Sequence, residues 1–149
     1  MTAEQGPVPS VIPMVSYEDA GAAADWLAGA FGFEEVGRWA DDDGTVTHVN
    51  MKAADGMVML GRPTPSYESP RRHSESCEAA REWQTTPYIV DGVLVYVDDV
   101  DAHYERAVQA GAKVLSGLED NVDIGQRQYR VEDLEGHRWM FAQVLGENI

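Results

Sequence analysis

Apolar and polar positions fall in blocks along this chain, and the blocks come twice. Val93, Leu94, Val95, Tyr96 and Val97 form a short β-branched and aromatic run that predicts a strand. Asp98, Asp99 and Asp101 follow, carboxylates suited to cap a helix start and to meet the positive end of its dipole. Val100, Tyr104, Ala107 and Val108 then recur at helical spacing as one apolar stripe, and Gly111 stands where a helix takes a left-handed stop. An earlier stretch repeats this order. Residues 11–15 predict a strand, 19–31 a helix with Ala23, Trp26, Leu27 and Ala30 on one face, and Gly32 its stop. The step from Asp19 to Gly32 equals that from Asp98 to Gly111, and Gly56 and Gly136 keep the same offset of about 80 residues, which marks an internal repeat.

Each copy continues into three further strands. In the first they span 36–40, 45–52 and 57–61, with Asp43 and Gly44 as a hairpin turn. In the second they span 113–117, 127–131 and 137–144, with Asp133, Leu134, Glu135 and Gly136 turning into the last. Between the copies, Pro63, Pro65, Pro70 and Pro87 break the rhythm. That segment predicts a long loop holding a short helix over 75–83, with Cys77, Ala80 and Trp83 as its inner edge. The chain therefore reads as an α+β fold: a flexible tail over 1–10, a βαβββ module over 11–61, the inter-module loop over 62–87 and a second βαβββ module over 88–149.

Charge and composition narrow the function classes. The 149 residues carry a formal net charge of −15, a field that repels phosphate backbones and argues against nucleic acid as a partner. The same field serves solubility and favours cationic ligands. No apolar run approaches the ~20 residues a membrane span needs. Residues 1–10 lack the basic start and apolar core of a secretory signal, and Cys77 stands alone, so a cytoplasmic protein without an intrachain disulfide is expected.

Two βαβββ copies, a helix entry of Val97, Asp98, Asp99, Val100 and Asp101, a helix exit of Ala110, Gly111 and Ala112, and an ending of Asp133, Leu134, Glu135, Gly136, His137, Arg138 and Trp139 resemble the vicinal oxygen chelate superfamily. That group includes glyoxalase I, extradiol dioxygenases, fosfomycin-modifying enzymes and bleomycin-resistance proteins. The resemblance covers about 11–144 and implies a curled, cup-shaped mixed sheet built from the two modules, commonly as a homodimer. In the superfamily's metalloenzymes the first and last strands of each module supply His and Glu ligands to a divalent ion. Those positions fall here on Ile12, Met59, Gly92 (or its neighbour Val93) and Met140, none of which offers imidazole or carboxylate. No metal and no cofactor is therefore expected.

Strand periodicity places Met57, Met59, Leu94 and Met140 toward the implied cup, with Tyr96 and Arg138 as polar points. Asn50 shares a strand face with His48, and Trp39 closes a wall. An apolar pocket with a few placed polar groups suits a small organic molecule, cationic or aromatic. The leading expectation is a metal-independent binding protein. The alternative is a lyase, isomerase or dioxygenase-like enzyme that uses His48 as acid or base, Tyr96 as hydrogen-bond donor and Arg138 as carboxylate clamp, or a displaced metal site. His73 and His103 are expected in solvent, and His137 in a structural role at the turn.

Overall fold

A computed structural model describes residues 8–146; most of the expected tail, 1–7, and the last three residues lie outside the described residues. The order of elements is β1 (Met14–Ser16), α1 (Ala20–Phe31), β2 (Glu34–Ala40), β3 (Val46–Ala53), β4 (Gly56–Gly61), α2 (Pro70–Ser76), α3 (Glu78–Trp83), β5 (Gly92–Tyr96), α4 (Val100–Gln109), β6 (Lys113–Asn121), β7 (Gln126–Glu132) and β8 (Arg138–Val144). The chain divides into two units, Met1–Ser69 and Pro70–Ile149. The segment between the repeats is shared: 62–69 goes with the first unit and 70–87 with the second.

Each unit holds one four-stranded mixed sheet, ordered β1-β4-β3-β2 in the first and β5-β8-β7-β6 in the second. The first and last strands of each copy run parallel and the remaining pairs antiparallel. This identity of order is the repeat seen in the sequence, expressed as topology.

Both long helices start and stop by the same chemistry. Asp19 accepts from the Ala22 backbone N–H at 3.0 Å, and Asp99, rather than Asp98, accepts from Ala102 at 3.1 Å. Gly32 and Gly111 take the left-handed conformation after the last turns. Helix α1 buries Ala20, Ala23, Ala24, Leu27, Ala30 and Phe31 against β3 and its neighbours, where Val49, Met51, Val58 and Leu60 are buried. Trp26 is only half-buried and meets Phe31 edge-on. In the second unit Val100 and Ala107 of α4 lie over Tyr129, Val131, Trp139 and Phe141, while Val108 of the expected stripe is exposed.

Three expectations are corrected. The predicted 75–83 helix is two short helices broken at Cys77, and α3 buries nothing: Trp83 is exposed and Ala80 half-buried. Strand β6 extends to Asn121, helped by bulges around Ser116. His103 is not a solvated side chain, because its Nδ1 lies 2.6 Å from the Tyr129 hydroxyl and its ring packs 4.0 Å from that of Phe141. Burial raises the Tyr129 phenol well above its ordinary pKa, so it stays neutral in that contact.

Candidate functional site

The helix covers one face of each sheet, and the expected site residues lie on the other. In the first unit the register sets Trp39 opposite His48, and Asn50 between Gly37 and Met59. The Trp39 ring lies back over Gly37, where a Cβ would stand 2.9 Å from the far edge of the indole and push the ring aside. His48 meets Trp39 edge-on at 5.0 Å between ring centroids. Its Nε2 lies 2.7 Å from Asn50 Oδ1, which fixes the ring; when Nε2 carries the proton, Nδ1 has no hydrogen-bond partner among the described residues. Met57 and Met59 are half-buried on the same sheet face.

In the second unit, cross-strand rows define the face. One row runs Gly92, Arg138, Glu132; the next Leu94, Met140, Arg130; the third Tyr96, Ala142, Gln128. The expected apolar lining is therefore corrected. Strand β7 contributes Gln126, Gln128, Arg130 and Glu132, a polar stripe down the middle of the sheet. The Tyr96 hydroxyl donates to Gln126 Oε1 at 2.7 Å, Gln126 donates to Gln128 at 2.8 Å, and Gln128 to Glu119 at 3.3 Å. Tyr96 is thus the end of a hydrogen-bonded chain across three strands.

Arg138 has a different set of partners from the expected clamp. Its side chain is only 4% exposed and its Nη2 lies 3.6 Å from the equally buried Glu132. Nη1 donates to the Thr86 carbonyl at 2.7 Å and Nη2 to the Gln84 carbonyl at 2.8 Å. From the other side Arg71 donates to Glu132 Oε1 at 3.3 Å and to the carbonyls of Asp133 and Leu134 at 2.9 Å each. One buried carboxylate between two guanidiniums thus ties both ends of the 70–86 segment to β7, β8 and the turn between them. A charge that deep is stable only when paired in this way.

Past that tether the chain forms the wall of a cavity of about 280 Å³. Pro87, Tyr88, Val90 and Asp91 form one side, and Leu94, Arg130, Arg138, Trp139 and Met140 belong to the sheet. The cavity brings together the expected residues Leu94, Arg138 and Met140; Tyr96 does not line it. Sequence reasoning missed Tyr88, Arg130 and Glu132. The signal for the last two was present: Tyr129 and Val131 alternate as core residues, which turns Gln128, Arg130 and Glu132 to the opposite face.

The positions that the resemblance assigns to metal ligands offer no imidazole or carboxylate to a hard or borderline ion. Met59 and Met140 carry thioethers, and a Cβ at Gly92 would already press within 3.0 Å of the Arg138 carbonyl oxygen. Among the described residues no group of three or more His, Cys, Asp or Glu side chains is placed to hold a metal. A model of the Glyoxalase/Bleomycin resistance protein/Dioxygenase superfamily matches residues 12–141. The chain belongs to this superfamily. The uncharacterized protein Rv0887c of Mycobacterium tuberculosis is 32% identical over 143 residues, covering 93% of this chain and 76% of the relative. Among solved superfamily-like structures, TioX from Micromonospora sp. ML1 is 32% identical, with a TM-score of 0.67 over 93% of this chain and 98% of its own. TnmS3 of Streptomyces sp. CB03234, an antibiotic binding protein, shares the fold at 21% identity, with a TM-score of 0.61 over 89% of this chain and 93% of its own.

Proposed function

We propose that this chain binds a small aromatic molecule in the second unit's cavity, without a metal and without converting it. The carrying observation is the cavity itself. Its walls combine Pro87, Tyr88, Val90, Leu94 and Met140 with the charged groups of Asp91, Arg130 and Arg138, and two of the superfamily's metal positions, Gly92 and Met140, lie among them. Apolar side chains and one aromatic ring set beside charged groups suit a planar organic ligand that carries a polar substituent, and a thioether adapts to its outline. That TnmS3 binds an antibiotic is a property of TnmS3; it makes sequestration a natural use of such a cavity. The reading includes a cytoplasmic homodimer, and native mass spectrometry checks the dimer directly. Among the described residues no helix is long and apolar enough to cross a membrane.

The test is calorimetric titration of EDTA-dialysed protein with 2-naphthamide, a neutral bicyclic probe. One molecule per chain is expected to bind and to be recovered unchanged, and Met140→Trp, which fills the cavity, should abolish binding. Loss of binding after EDTA treatment, or conversion of the probe, would defeat the proposal.

A second reading, an enzyme, is favoured by the His48 and Asn50 pair, which orients an imidazole whose other nitrogen is open. It requires a substrate whose turnover falls at least about 100-fold in His48→Gln.

A further inference from the structure

We infer that the ligand is a planar aromatic carboxylate, with Arg130 as the group that recognises the acid and Tyr88 as the ring beside it. The inference rests on the proposed binding reading and adds to it the charge of the ligand.

Two guanidiniums line the cavity, and they differ in what they already hold. Arg138 is committed to two carbonyls and to Glu132. Arg130 has its guanidinium carbon 5.9 Å from the centroid of the Tyr88 ring, and among the described residues its side chain has no hydrogen bond and no ion pair. At that distance the Tyr88 ring makes a cation–π contact at the outer limit of its range and takes none of the guanidinium N–H groups, so the in-plane fork is available. That fork matches the two oxygens of a carboxylate, and such a pair strengthens where water is excluded. Met140 and Leu94 adjoin Arg130 in the same cross-strand row, so an aromatic body attached to the acid would lie over the thioether and Leu94.

Charge supports the same reading. The chain has a net charge of −15, yet this cavity gathers two of its 11 Lys and Arg side chains. Glu132, the acid nearest Arg138, is already shared with Arg71. The opposing group is Asp91, an exposed carboxylate in the wall with no ion pair to Arg130. It should weaken the binding of an anion, so its removal provides a signed control. The expectation of a cationic ligand from net charge alone is thus reversed locally, because screening confines the field of the distant acids to about 10 Å in ordinary salt.

The experiment compares 2-naphthoate with 2-naphthamide, which have the same rings and differ in charge. In native protein the acid should bind about tenfold more tightly, and its affinity, unlike the amide's, should fall as salt rises. Arg130→Gln should bring the acid-to-amide affinity ratio from about ten to about one, and Asp91→Asn should raise that ratio above the native value. Equal binding of acid and amide by native protein, with no salt dependence, overturns the inference and leaves the cavity reading intact. Failure of both probes to bind overturns both. The salt series needs no variant, so a poorly folded Arg130→Gln would not block the decision.

Discussion

Arg138 shows how a residue can be placed correctly on a sheet and still have partners that sequence does not reveal. Its face follows from period two, since Trp139 and Phe141 must pack under the helix. Its partners do not, because the carbonyls it holds lie more than 50 positions earlier, at Gln84 and Thr86. Replacing it by methionine leaves Glu132 buried with Arg71 as its remaining cation and strips donors from two carbonyls. Urea denaturation should show a loss of about 3 kcal/mol for Arg138→Met. Arg138→Lys should recover only part, because a point charge does not reproduce a planar fork with two parallel donors. Hydrogen exchange at residues 84–91 should quicken in both variants if the tether holds that wall in place.

At the scale of elements, the turn from Glu132 to Arg138 links the sheet to the 70–86 segment. Asp133 Oδ1 accepts from the Glu135 and His137 backbone N–H groups and Oδ2 from the Trp139 indole, so one buried carboxylate shapes the turn and fixes a core ring. Gly136 takes φ +92°, and a Cβ there would stand 2.8 Å from the Arg71 nitrogen; Gly111 takes φ +88° with open space around it. Gly111→Ala should therefore cost about 1 kcal/mol, from left-handed backbone alone. Gly136→Ala should cost roughly twice that or more, because Arg71 must also move, and chemical denaturation of the two variants isolates the difference. Strands and helices of the repeat were legible because caps, glycine stops and alternation all agree there. The 70–83 segment was read only in part: a helix over 75–83 was expected, but its break at Cys77 and the earlier helix from Pro70 were not, because both helices are short and α3 buries no side chain that would leave an apolar stripe to read.

Across the whole molecule the excess of acid governs the electrostatics, with a net charge of −15. The ion pairs that oppose it, Arg38 with Asp25 and Glu35 and Arg127 with Asp101 and Asp120, lie at the surface, where each is worth little. Screening should relieve more repulsion than it removes attraction. The melting temperature should therefore rise by a few degrees between low salt and about 0.5 M sodium chloride, read by scanning calorimetry; a fall would mean that the surface pairs outweigh the net charge. The repeat and the family were legible at this scale, whereas the charge of the cavity was not, since composition averages over positions that the fold separates. Arg138 holds the main-chain oxygens of Gln84 and Thr86, which every amino acid supplies, so the side chain at 86 is free to change without loosening that hold, whereas the Gln84 side chain also donates to the Pro70 carbonyl. A main-chain anchor of this kind separates the position of the cavity wall, which the guanidinium sets, from its chemistry, which the side chains beyond Thr86 set.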